Sequence, residues 1–193
     1  MRAFSLLLLI PALAVTASAS QVQWTVDSGG NGHWYEVMTD PGTWSHAFAA
    51  AASNGGYLAT ITSAGEDAFV TALLQRTVNS SAFIGGTDAQ KEGTWIWSDG
   101  PEANEVFWTS ASGSLLYANF GYGEPNNAWG GENYLELQNT GLWNDVTSYQ
   151  PFSYYLLESN EARTPEPASI VLTGAALAAL TLFARRARKR LSR

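Results

Sequence analysis

Not one of the 193 residues is cysteine. That absence rules out disulfide scaffolds, zinc fingers, iron–sulfur clusters and thiol nucleophiles in any compartment. A metal, if held, must be held by oxygen or by the two imidazoles. His33 and His46 stand 13 residues apart on a predicted strand and a predicted helix, with neither metal nor triad spacing. The chain must fold on its core alone, and the material is there. It has eight Trp, eight Tyr and eight Phe, with 46% hydrophobic and only 14% charged residues, which lies outside the range of disordered chains. The length suits one ordinary domain with tails.

Charge divides the chain. Seven of the ten basic residues lie at the ends, as Arg2 and then Arg185, Arg186, Arg188, Lys189, Arg190 and Arg193. Between Asp27 and Glu166 stand all 17 acids against three bases (Arg76, Lys91 and Arg163), a balance of −14. Such a surface repels phosphate backbones, which excludes nucleic acid as a partner and favours cations.

The ends read as addresses. Arg2, the apolar run Leu6 to Ile10 and the small residues Ala17-Ser18-Ala19 form a secretory signal over residues 1–20. Residues 168–184 are uncharged, long enough for a minimal spanning helix, and are followed by the basic tail that marks a cytoplasmic side. Thr164-Pro165-Glu166-Pro167 stands upstream, where two prolines bar an earlier helix start. Over residues 162–193 this order of Pro-Glu-Pro, apolar helix and Arg-rich stop resembles the PEP-CTERM sorting signal. The resemblance implies an exosortase-type processing protease, transient anchoring in the inner membrane, and delivery to the outer surface or extracellular matrix of a Gram-negative bacterium. A permanent membrane anchor is the alternative.

Residues 21–161 form one block without repeats or linkers. A strand is predicted at His33–Val37, closed by the turn signal Asp40-Pro41-Gly42. A helix capped by Thr43 runs to the stop Asn54-Gly55-Gly56, and Tyr57–Ile61 follows as an extended segment. Ser63 and Glu66 have the spacing of a capping box for a second helix, on which Phe69/Leu73 and Val70/Leu74 stack at i, i+4. Beyond Ala82 come short aromatic runs (Phe83–Gly86, Thr94–Trp97, Tyr134–Leu137, Tyr154–Leu157) among long loops. Helices first and irregular strands later predict an α+β domain whose loops hold the function.

Those loops hold Glu124-Pro125-Asn126-Asn127, Glu132-Asn133 and Trp143-Asn144-Asp145. Glu124, Asn126, Glu132, Asn144 and Asp145 offer only oxygen, the chemistry of Ca²⁺, which takes six to eight oxygens at about 2.3–2.6 Å in a forgiving geometry. Three carboxylates overcompensate one dication, and two amides add ligands without further repulsion.

These residues give the block its resemblance to the C-type lectin-like domain. Trp44–Ala47, Gly55–Ile61, Phe83–Gly86, Trp95–Gly100 and Tyr155–Glu158 match along its length. Most specific are Glu124-Pro125-Asn126 and Trp143-Asn144-Asp145, with Glu132 eight and Asn144 twenty residues after Glu124. The resemblance implies a disulfide-free C-type lectin-like fold of two helices, short antiparallel strands and a long loop region. It also implies that Glu124, Asn126, Glu132 and Asn144 touch both calcium and sugar, that Asp145 chiefly holds calcium, and that the ligand is mannose-, glucose- or fucose-like. Trp129 either stacks on a sugar ring or anchors the loop.

Two departures stand out. The paired cysteines of the family are replaced by Ala51 with Leu157 and Tyr134 with Ser148. Each lost bridge forgoes roughly 2–4 kcal/mol, which predicts heavier reliance on calcium. The family's accessory calcium site finds Gly100, Asn104, Asn127 and Asn133 at the matching places, so one calcium is expected, with Asp99, Glu102 and Glu105 as solvated loop charges. The chain is expected not to be an enzyme. Glu132 and Glu136 as paired acids of a glycosidase is the weaker reading, because calcium ligands cannot readily serve as a general acid. The rival is a structural or adhesive matrix protein that uses the scaffold for protein contacts without sugar.

Overall fold

The computed structural model describes residues 21–128 and 130–163. The predicted secretory leader, the apolar stretch 168–184, the basic tail and Trp129 therefore lie outside the described residues. Among the described residues no helix is long and apolar enough to cross a membrane.

Both predicted helices form. Helix α1, Trp44–Ser53, starts where the Thr43 side chain accepts from the His46 N–H. It buries Trp44, Ala47 and Ala51, and the Trp44 indole N–H donates to the Ile84 carbonyl at 2.8 Å. Helix α2, Ala64–Thr77, is capped by Ser63, whose hydroxyl accepts from the Glu66 N–H at 3.2 Å. Only half of the capping box closes, because the Glu66 carboxylate reaches past Ser63 to the Thr62 N–H (2.8 Å) and hydroxyl (3.0 Å). The inner face carries Val70, Leu73 and Leu74, and Phe69 is half-buried against Trp24 and Tyr35.

The strands are β1 (Val22–Gln23), β2 (Trp34–Gly42), β3 (Tyr57–Leu58), β4 (Ala82–Thr87), β5 (Thr94–Trp97), β6 (Val106–Thr109), β7 (Gly113–Ser114), β8 (Glu132–Leu137), β9 (Trp143–Thr147) and β10 (Phe152–Ser159). They join in one sheet, ordered β1-β2-β10-β4-β5-β6-β7, with β3 on β10 and the β8–β9 hairpin attached to β4. The expected α+β architecture of two helices and short strands without disulfides is the one observed.

Three local expectations are corrected. Asp40-Pro41-Gly42 does not close β2 but continues it: Gly42 pairs with Phe152 and Thr39 with Tyr154, so Pro41 falls at an irregularity where its missing N–H costs no ladder bond. The extended segment 57–61 pairs as strand only at Tyr57–Leu58. Trp143-Asn144-Asp145, read as loop, opens β9, and Glu132 opens β8.

Trp95, Trp97, Phe107, Trp143, Leu135 and Leu137 form the core beside the long loop, with Val70, Leu73 and Leu74 of α2 in the same cluster. A second cluster joins Trp44, Ala47 and Ala51 of α1 to Leu58, Phe83, Val146, Tyr155 and Leu157. Ala51 and Leu157, standing where the family has a cysteine pair, are both buried in this second cluster. At the other missing pair, Tyr134 stacks on Trp44 with ring centres 4.6 Å apart, while Ser148 is exposed.

Candidate metal centre

The residues singled out by sequence come from three segments that the sheet draws together. Register in the β8–β9 hairpin sets Leu135 opposite Asp145 and Glu136 opposite Asn144. The loop 119–128 crosses above, tied down where the Trp143 N–H donates to the Asn119 carbonyl (2.9 Å) and the Gly121 N–H to the Trp143 carbonyl (2.8 Å). The Glu124–Pro125 bond is cis.

Asp145 is the centre of the arrangement. It is buried, and its two oxygens accept the backbone N–H groups of Asn126 (3.1 Å) and Asn127 (2.7 Å), fixing the Pro125 turn over β9. Glu132 accepts the Ala128 N–H at 2.7 Å. The Asn127 side-chain oxygen accepts from the Gly131 and Glu132 N–H groups, closing the loop back on β8. The Asn144 amide donates to Glu136 at 3.1 Å, so its amide oxygen is the atom suited to ligation.

The electrostatics are those of crowded acids. Burial, with the Asp145 carboxylate beside it and Glu132 near, pushes the Glu124 carboxyl up to about 7, against the pull of Asn126. Burial raises Glu132 as well, opposed by the Ala128 N–H and reinforced by Asp145 and Glu136. The Glu124 Oε2 atom is buried with no hydrogen-bond partner. A buried carboxylate oxygen left unpaired beside two other carboxylates is costly unless a cation or proton joins them. That is the observation by which this donor set fits a hard dication. Among the described residues no group of three or more His, Cys, Asp or Glu side chains is placed to hold a metal ion, so a shell here would have to draw on amide oxygens such as those of Asn126 and Asn144. The structure brings Glu124, Asn126, Glu132 and Asp145 together, sets Asn144 beside Asp145 on β9 with its amide on Glu136, and leaves Trp129 outside the described residues.

The acids missed by sequence lie next door. Asp88, just after β4, is buried. Its Oδ2 accepts the Gly93 N–H at 2.8 Å and its Oδ1 has no partner. Burial, opposed by that N–H and reinforced by Glu92 and Asp145, pushes it up to about 6. Asp88 and Glu92 line a cavity of about 60 Å³ with Asn127, Asp145, Trp95, Trp108 and Ser110. The places matched in sequence, Gly100 and Asn104, do not line this cavity. The available signal was the turn Asp88–Gly93 directly after the Phe83–Gly86 strand, one hairpin earlier in the chain than the segment searched. Glu102, expected to be solvated, is half-buried and accepts from the Thr60 hydroxyl at 2.8 Å, and Asp99 accepts the Gly100 N–H at 2.9 Å. The histidines also have acidic partners: His33 Nδ1 lies 2.5 Å from Glu158, and His46 Nε2 lies 3.1 Å from Asp40.

A depression of about 710 Å³ around Asn54–Tyr57 and Ser159–Arg163 is remote in sequence from these acids. Its Arg163 guanidinium is spent on Glu36 and the Asn54 carbonyl.

The chain belongs to the C-type lectin domain family, matching the Lectin C-type domain over residues 40–155. It is 34% identical over 156 residues to halomucin of Haloquadratum walsbyi, covering 75% of this chain and 2% of that protein. It is 43% identical over 67 residues to the galactose-specific lectin nattectin of Thalassophryne nattereri, covering 34% of this chain and 42% of that lectin. The chain thus spans less than half the length of either relative. The carbohydrate-recognition domain of cow CD23, solved in the presence of a GlcNAc2Man3 oligosaccharide, superposes with a TM-score of 0.55 at 28% identity, covering 69% of this chain and 90% of that one.

Proposed function

We propose that this protein binds carbohydrate in a calcium-dependent manner. The observation that carries the reading is the partnerless buried Oε2 of Glu124 beside Asp145, in a chain of the C-type lectin domain family. Calcium held by Glu124, Asn126, Glu132, Asn144 and Asp145 would offer open positions to two neighbouring sugar hydroxyls. Around those hydroxyls the carboxylates of Glu124 and Glu132 accept hydrogen bonds, while the amide nitrogen of Asn126 donates. Asp145 keeps the loop seated through the Asn126 and Asn127 N–H groups. Asp88, Glu92, Asn127 and Asp145 fit a second cation, in place of the single calcium expected from sequence.

Glu-Pro-Asn favours mannose-, glucose- or fucose-like hydroxyls, whereas the relative nattectin is named galactose-specific, so both series belong in the assay. Nattectin is named as a lectin and the CD23 domain as a carbohydrate-recognition domain, which supports a binding protein over an enzyme. Export fits the reading, with residues 1–20 as leader, 21–161 as the lectin domain and 162–193 as a sorting signal whose apolar stretch 168–184 would be removed by an exosortase-type protease at a Gram-negative surface or matrix. An intact Arg193 in the surface fraction, seen by mass spectrometry, would rule out that removal.

The deciding experiment is calorimetry with calcium, followed by glycan-array binding with and without EDTA. Calcium uptake with EDTA-sensitive glycan retention is expected. Uptake without any glycan retained would favour the adhesive scaffold instead, and no uptake would overturn the proposal.

A further inference from the structure

Resting on the sugar-binding reading above, we propose that Tyr122 is a second, aromatic contact for the same ligand. The site then takes a neutral oligosaccharide of two or more rings in preference to a lone sugar.

Tyr122 stands one residue before Gly123 and two before Glu124, and it is fully exposed. The aromatic residues upstream in the same segment are otherwise engaged: Phe120 packs against Trp95, Trp108 and Trp143, and Tyr117 packs against Trp143 and donates to Asp67. The core therefore has room for aromatic rings from this segment, and Tyr122 alone among these three is turned out of it.

Its backbone is not loose. The Glu124 N–H donates to the Gly121 carbonyl at 3.0 Å, and Gly123 has φ +87°, which makes Tyr122 and Gly123 the central residues of a β-turn with a left-handed second corner. Gly121 in turn donates to the carbonyl of Trp143, the residue before Asn144. The turn that presents the ring is thus fastened to both halves of the candidate site. β-turn closure holds Gly121 within about 7 Å of Glu124, and Tyr122 stands on that turn two residues before the carboxylate that would bind the sugar hydroxyls. An amphipathic ring with two side-chain torsions on a fixed backbone turn suits stacking on the apolar face of a pyranose.

Charge selects the class of sugar. Glu124, Glu132, Asp145, Asp88 and Glu92 surround the site, and of the three bases among the described residues only Lys91 is near in sequence. With both proposed dications bound, these five carboxylates keep one uncompensated negative charge, so a uronate or sulfated ring finds no surplus cation to pair with, whereas a neutral ring needs only the tyrosine face.

The test is a calcium-containing titration of the full chain, as wild type, Tyr122→Ala, Tyr122→Phe and Glu124→Gln, with methyl mannoside against mannotriose and methyl galactoside against galactotriose. In the series that binds, the trisaccharide should bind about five-fold tighter than the monosaccharide. Tyr122→Ala should lose that gain while keeping monosaccharide affinity and melting temperature, Tyr122→Phe should retain it, and Glu124→Gln should abolish binding of both. A trisaccharide gain that survives Tyr122→Ala, or no gain in the wild type, overturns the aromatic contact and leaves the sugar-binding reading standing. A wild type that takes up calcium but binds neither series overturns both.

Discussion

His33 lies 2.5 Å from the buried carboxylate of Glu158, with the Tyr57 hydroxyl at 3.5 Å and with Glu66 and Glu102 adding negative potential. Glu158 also accepts from the Tyr35 hydroxyl and the Thr60 N–H, and Tyr35 in turn donates to Glu66. The imidazole pKa is raised above its ordinary 6.5, chiefly by the Glu158 hydrogen bond, which outweighs the opposing effect of burial. The stability contributed by the imidazolium is therefore complete below pH 6.5 and is lost as pH rises through the raised value. His33→Asn should cost more stability at pH 6 than at pH 9. Thermal melts of both proteins at the two pH values check this, and an equal cost at both would refute it. None of this was legible in the sequence, where His33 and Glu158 stand 125 positions apart and only the fold makes them neighbours. Asp88 escaped for a related reason: its burial comes from packing behind the Pro125 loop, and no local pattern signals that.

At the level of elements, the helices were legible because their signals are local. Ser63 caps α2 through the Glu66 N–H, and the i, i+4 pairs lie on its inner face. Ser63→Ala should cost about 1 kcal/mol, to be read from urea unfolding as a lower midpoint at unchanged slope. A loss below a few tenths would mean that the Glu66 bonds to Thr62 already hold the first turn. Strand β9 was illegible because Asn144 and Asp145, residue types depleted in strands, follow directly on Trp143, and pairing with β8 overrides that preference. The same override carries β2 through Asp40-Pro41-Gly42. Glu124, Asn126, Glu132, Asn144 and Asp145, the proposed ligands, could be singled out by spacing because one loop and one hairpin carry them at fixed intervals along the chain.

For the molecule as a whole, the missing bridges define the stability problem. Ala51 and Leu157 contribute apolar packing, and Tyr134 contributes a stack on Trp44, but neither replaces a covalent constraint. Ligation across the loop 119–128 and strands β8 and β9 would fasten the same region from outside the chain. Calcium at a hundred times its dissociation constant would add about 2.7 kcal/mol, so the melting midpoint should rise by several degrees with calcium and fall back with EDTA. An unmoved midpoint would show that the aromatic core suffices.

The Gln21 side chain and the Arg163 backbone are bonded reciprocally, amide nitrogen to carbonyl at 3.2 Å and N–H to amide oxygen at 2.8 Å. Polypeptide enters and leaves this domain through a single doorway. A unit built that way can be spliced into a longer protein as a side branch, its neighbours joined almost directly while the lectin fold hangs from the junction like a pendant.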